Sequence, residues 1–167
     1  METLVEKADH YAERKHLGHY RDDKITPFII HPRKVKRLLE DIGIDDENIL
    51  ASSLLHDVIE NCGVSVEELE KEFNPEVARI VGALTRDVSR QMYKERIGKS
   101  DYAVQIIKLA DVVHNSAYLY NSKRTTIEHK IQDSFDFYLP LAKVICSTFY
   151  RMLLESVSIA ETLLDRD

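Results

Sequence analysis

Cysteine, glycine and proline are scarce in this chain, and its 23 lysines and arginines are outnumbered by 29 acidic residues. The only two cysteines in 167 residues are Cys62 and Cys146. Neither sits in a close pair or a zinc-type spacing, which argues against a disulfide framework and leaves two reduced, partly buried thiols. No stretch of about eighteen apolar residues occurs and no charged-then-apolar leader opens the chain, so neither membrane insertion nor export is indicated. The expected location is the cytoplasm. A net charge of -6 argues against broad electrostatic binding of nucleic acid, which needs a basic field to displace counterions from phosphates. A small anionic partner needs only a local basic cluster. Arg14, Lys15, Arg21, Lys24, Arg33 and Lys34 crowd the first quarter of the chain, although most of them read as solvated helix faces. Oligomeric state leaves no mark in the sequence.

With five glycines and four prolines there are few turn signals, while apolar residues recur three and four apart almost everywhere. This is an all-α pattern. The hydrophobic (44%) and charged (31%) fractions are those of an ordinary globule, and the length fits one domain over residues 1–167, with about eight to ten helices. The spacing predicts a first helix from Thr3 to Leu17, stopped by Gly18, then a loop from His19 to Ile30. Pro32 suits the first turn of a second helix ending at Gly43, with His31 at or just before its start. Asp45-Asp46 can cap a third helix running to Cys62-Gly63. Ser65 and Glu68 match a capping box for a short fourth helix, and another follows from Pro75 to about Thr85. Residues 87–98 are polar and basic, either a helix or a loop able to act as a lid. Apolar spacing resumes from Ser100-Asp101 toward Tyr120. The remainder, from Thr126 to Leu164, reads as one helix interrupted near Pro140, or two.

Chemistry concentrates in His56-Asp57-Val58-Ile59-Glu60-Asn61, with His31 upstream and Asp111 downstream. Any one of these residues alone is better explained as a hydrogen-bonded core group or a local ion pair, such as Asp111 with Lys108. An aspartate inside the apolar run Ile106 to Val113, and a His-Asp pair directly after Leu54-Leu55, require more, because buried charge is costly unless paired or metal-bound. His31, His56, Asp57 and Asp111 offer two imidazoles and two carboxylates to one divalent cation. On a continuous helix His56 and Asp57 diverge, so a shared cation would sit off the helix side with ligands from other elements. The mixed nitrogen and oxygen set suits manganese, with Fe2+, Co2+, Ni2+, Mg2+ or Zn2+ as other candidates, better than a closed structural zinc site. Such an ion generates a nucleophilic water near neutral pH and polarises a phosphoryl oxygen. Glu60, one turn from His56, is placed to take or orient a proton.

In this order His31, His56-Asp57 and Asp111 resemble the signature of the HD-domain metal-dependent phosphohydrolases, an all-helical superfamily in which those positions bind the metal. The flanking text narrows the resemblance. Thr26 to Pro32, Ala51 to Glu60 and Ile107 to Asn115 look like the hydrolase domain of the RelA/SpoT family and its small stand-alone Mesh1-type relatives, and the similarity runs from Ala8 to Asn121. It implies a single HD-domain helical bundle. It also implies manganese-dependent hydrolysis of the 3′-pyrophosphate of guanosine tetra- or pentaphosphate by a metal-bound hydroxide, and a hydrolase-only protein without a synthetase domain. Arg21 matches the family arginine that helps hold the nucleotide, a role suited to a planar, permanently charged guanidinium. Lys15 lies in the matching Arg-Lys-His stretch, and Thr85 and Asn115 match positions lining the nucleotide pocket. Core packing is the better reading of Tyr138.

One position departs from the family, whose motif ends in glutamate then aspartate. Here the second residue is Asn61, and an amide orients water or phosphate but cannot act as a base. Beside guanosine polyphosphate hydrolysis the sequence therefore keeps two alternatives: an HD phosphohydrolase for a different nucleotide, and a catalytically weakened nucleotide-binding regulatory protein.

Overall fold

The structure, a computed structural model, describes residues 2–119 and 122–165. The expected helix extension to Tyr120 and the end of the resemblance at Asn121 fall outside them. The described residues form α1 (Leu4–Lys15), α2 (Ile30–Asp41), α3 (Glu47–Leu55), α4 (Val58–Cys62), α5 (Val66–Glu72) and α6 (Pro75–Leu84). After these come α7 (Arg90–Lys99), α8 (Tyr102–Ser116), α9 (Arg124–Asp133), α10 (Leu139–Ile145) and α11 (Ser147–Leu164). The fold is all-α, and the one extended pairing among the described residues is an isolated bridge between Tyr20 and Pro27. Contacts divide the chain into two units, residues 1–107 and 108–167, with the boundary inside α8.

In the first unit α3 is the central element, packing against α1, α2 and α6. It is buried on every side from Leu50 to Leu55, as expected of a helix without a polar face. Asp46 starts it by accepting from the amides of Asn48 and Ile49. Leu54, Leu55 and Ala51 are fully enclosed and join Ala8, Tyr11 and Ala12 of α1 and Val77, Ala78 and Val81 of α6 in one apolar cluster. Each such leucine stabilises the fold by about 1.5–3 kcal/mol. The end of α3 is thus held on three sides.

The apolar spacing predicts one helix through to Cys62, but the chain breaks at His56-Asp57, where Asp57 has φ -103° and ψ -5°. A continued helix reserves the Ser53 carbonyl for the Asp57 amide. Here His56 Nδ1 lies 2.7 Å from that oxygen and competes for it. After the break α4 runs only five residues and ends at Gly63, whose φ of +68° suits a residue without Cβ. Residues 90–99 settle as helix, with Tyr93 and Ile97 buried and the Tyr93 hydroxyl donating to the Leu84 carbonyl.

Ser65 caps α5 through the Glu68 amide, yet the Glu68 carboxylate accepts from Tyr11 and Lys15. In the second unit Leu119, Ile127 and Ala160 form a small apolar cluster. The interruption expected near Pro140 is present, since the π-turn Ser134–Tyr138 ends two residues before it, and a second division comes at Cys146. Pro140 sits in the first turn of α10, where its missing N–H costs nothing, and the extended backbone of Cys146 (φ -154°) is what ends that helix. Tyr138 closes the π-turn, and its ring meets Phe137 at 5.1 Å.

Candidate metal centre and active site

The break between α3 and α4 changes what His56 and Asp57 can do. Freed from helical spacing, His56 Nε2 and Asp57 Oδ2 come within 3.3 Å of each other. His31 reaches the same point from the first turn of α2, where Pro32 is tolerated because the amides there have no helical partner. Its Nε2 lies 3.2 Å from His56 Nε2 and 3.5 Å from Asp57 Oδ2. Both histidines are buried, at 2% and 6% exposure, whereas the Asp57 side chain keeps 23%. The Ser53 carbonyl accepts from His56 Nδ1–H, which leaves Nε2 as the lone pair aimed at the cluster.

Three lone-pair donors facing one another at 3.2–3.5 Å repel unless a proton or a cation lies among them. Neighbouring ligands about 2.1 Å from one ion are separated by about 3.0–3.4 Å. The donor set therefore fits a divalent cation.

Glu60 and Asn61, on α4, are exposed. The Arg86 amide donates to Glu60 Oε2 at 3.2 Å, fixing that carboxylate beside the loop that follows α6. Thr85 is next in that loop, with its hydroxyl turned back onto the Val81 carbonyl at 3.0 Å. Arg96 holds the same loop through Asp87 and the Thr85 carbonyl. In the loop before α2, the Arg21 guanidinium lies 5.7 Å over the Phe28 ring. Lys15 is spent differently: its ammonium donates to Glu68 at 2.8 Å, and with the Tyr11 hydroxyl it holds that carboxyl below its ordinary range. Arg33 forks onto Asp9 at 2.7 and 2.8 Å, so this part of the basic cluster is an ion pair.

In the second unit Asp111 is a buried carboxylate at 7% exposure. Lys108 Nζ meets its Oδ2 at 2.8 Å and Asn115 Nδ2 donates to Oδ1 at 2.6 Å. The shared face of Asp111 and Asn115 is thus a real contact, as is the pairing with Lys108.

Both cysteines are free and half-buried. Reading the sequence by cysteine spacing missed that Cys62 lies beside His16 and His19. The overlooked signal was the His-x-x-His spacing of His16 and His19.

Comparison with known proteins decides the family: the HD domain matches residues 8–144. This chain belongs to the HD domain family. It is 32% identical over 157 residues to the human guanosine-3′,5′-bis(diphosphate) 3′-pyrophosphohydrolase MESH1, an alignment covering 87% of this chain and 86% of that protein. It is also 30% identical over 166 residues to a GTP pyrophosphokinase of Streptomyces coelicolor, covering 93% of this chain but 19% of that much longer protein. Among solved structures it is similar, with a TM-score of 0.69 and 27% identity, to one described as a metazoan ortholog of SpoT that hydrolyzes ppGpp and plays a role in starvation responses. That match covers 99% of this chain and 94% of the other. The HD-domain chain described above is thus related to both the Mesh1-type and the RelA/SpoT proteins, and no helix among its described residues is long and apolar enough to cross a membrane.

Proposed function

We propose that this HD-domain chain is a manganese-dependent pyrophosphohydrolase that removes the 3′-pyrophosphate of guanosine 3′,5′-bis(diphosphate) in the cytoplasm, with residues 1–167 acting as one domain. The observation that carries this reading is the convergence of His31 Nε2, His56 Nε2 and Asp57 Oδ2, in a chain 32% identical to a protein named for that reaction. We assign Asp111 as the fourth ligand. Its support is a buried carboxylate in the motif position, steadied by Lys108 and Asn115. A divalent ion supplies Lewis acidity toward a phosphoryl oxygen and a nucleophilic water near neutral pH.

The remaining work belongs to side chains. Glu60, oriented by the Arg86 amide, accepts or directs the proton of the attacking water. Asn61 orients water or phosphate without serving as a base. Arg21 stacks on the base or forks onto phosphate, Lys15 adds positive charge, and Thr85 and Asn115 line the nucleotide pocket.

The test is to incubate manganese-loaded protein with guanosine tetraphosphate and a nucleotide panel, separating pyrophosphate from orthophosphate, with Asp57→Ala as control. Pyrophosphate release from guanosine tetraphosphate supports the proposal. Turnover of another nucleotide alone corrects the substrate, and tight binding without any turnover replaces the enzyme by a nucleotide-binding regulator.

A further inference from the structure

A second group of ligand-type side chains lies in the first unit, at the far end of α4. His16 caps the C-terminus of α1, His19 follows in the loop, and Cys62 is the last residue of α4. One donor atom from each lies within 4.8 Å of the others. We propose that His16, His19 and Cys62 form a second metal site, containing a thiolate, for a zinc-class divalent ion.

The geometry suits such an ion. His16 Nδ1 and Cys62 Sγ are 3.4 Å apart, and a tetrahedral zinc with its usual bonds to nitrogen and sulfur separates those two ligands by about 3.6 Å. The His16 ring is 3% exposed and stacks on Phe28 at 4.6 Å between centroids, so its direction is set by packing. Among the described residues its Nε2 has no hydrogen-bond partner. The backbone is shaped for the pair as well. Gly18 takes φ +81°, and the His19 amide donates to the His16 carbonyl at 2.9 Å, which folds the His-x-x-His segment back on itself. The His16 and His19 rings then meet edge to face at 5.8 Å.

Donor chemistry separates this site from the His31, His56 and Asp57 centre. Two imidazoles and a sulfur favour zinc or cobalt over manganese or magnesium, which prefer oxygen-rich sets. Burial pulls His16 down to about 4, so its ring is neutral and its lone pair available at neutral pH. Burial and the Asp57 charge push the Cys62 thiol up. This fits a ligand whose proton is displaced by the metal rather than a reactive thiolate. Binding forms the metal–sulfur bond and releases the thiol proton to solvent, and needs no oxidant. Three protein ligands leave a fourth position open for water. The bound ion joins α1 and the loop carrying Arg21 to the helix that carries Glu60 and Asn61.

The experiment is a cobalt titration of the full chain, read by the near-ultraviolet charge-transfer band that only a thiolate ligand gives. The band should saturate by two equivalents, the first of which fills the His31, His56 and Asp57 centre, collapse on adding zinc, survive in Asp57→Ala and Cys146→Ser, and vanish in Cys62→Ser. His19→Ala, an exposed position that leaves folding unaffected, should weaken zinc binding at least about tenfold. Absence of the band in the unaltered chain overturns the proposal, as does its persistence in Cys62→Ser. Because the band is independent of nucleotide turnover, a failed hydrolase assay leaves this result standing, and the reverse.

Discussion

His31, His56 and Asp57 on one side, and His16, His19 and Cys62 on the other, are two clusters of similar size built to different standards. In the first, both imidazoles are enclosed by core helices, and His56 is locked by the Ser53 carbonyl. The donor atoms stand within 3.5 Å of one another. In the second, only His16 is buried, and His19 is exposed on a loop. The first cluster is preorganised by the core, so its ordering cost is met on folding, whereas the second must draw in a loop residue when it binds. Hard chemistry therefore belongs at the first, and a weaker, exchangeable ion at the second.

Asp57→Ala should break the comparison most severely. It removes one of the two carboxylates assigned to the ion, and hydrolysis should fall more than about a hundredfold while bound manganese is lost. Metal analysis alongside initial rates checks this, and unchanged metal content would show that the ion sits elsewhere. Glu60→Gln should lower kcat by about a hundredfold while leaving manganese content alone, because the side chain acts on the proton and not on the ion. A fall in metal content would instead make it a ligand.

Asn61→Asp is expected to raise guanosine tetraphosphate hydrolysis by about tenfold or more by restoring a base. No gain would mean that Glu60 already suffices. Arg21→Ala should raise KM about tenfold with little change in kcat, the loss of one charge-assisted contact. Lys15→Ala should do far less, about twofold, because its ammonium is already held by Glu68. His19→Ala, confined to the second cluster, should leave manganese-dependent turnover unchanged.

Several elements could be read from the chain because their causes are local. Asp46, Ser65 and Asn74-Pro75 start helices through bonds to amides two or three residues away. His31 and Pro32 likewise mark the start of α2. The motif order His31, His56-Asp57, Asp111 named the ligand types. Other features have distant causes. Glu68 leaves its expected capping box for Tyr11 and Lys15, which lie 57 and 53 residues away in the chain. Pro140 marked one division of the last segment, directly after the π-turn, but the second division, at extended Cys146, went unread.

The sequence by itself determined that the chain is helical and which residue types stand ready for a metal. These follow from periodicity, composition and spacing, which are properties of the chain. Tertiary structure decided that α3 stops at Leu55. It thereby set His56 Nε2 and Asp57 Oδ2 3.3 Å apart instead of diverging around a helix. It also brought Cys62 to His16 across 46 positions of sequence. Convergence of donors is a property of packed elements, and no local propensity encodes it.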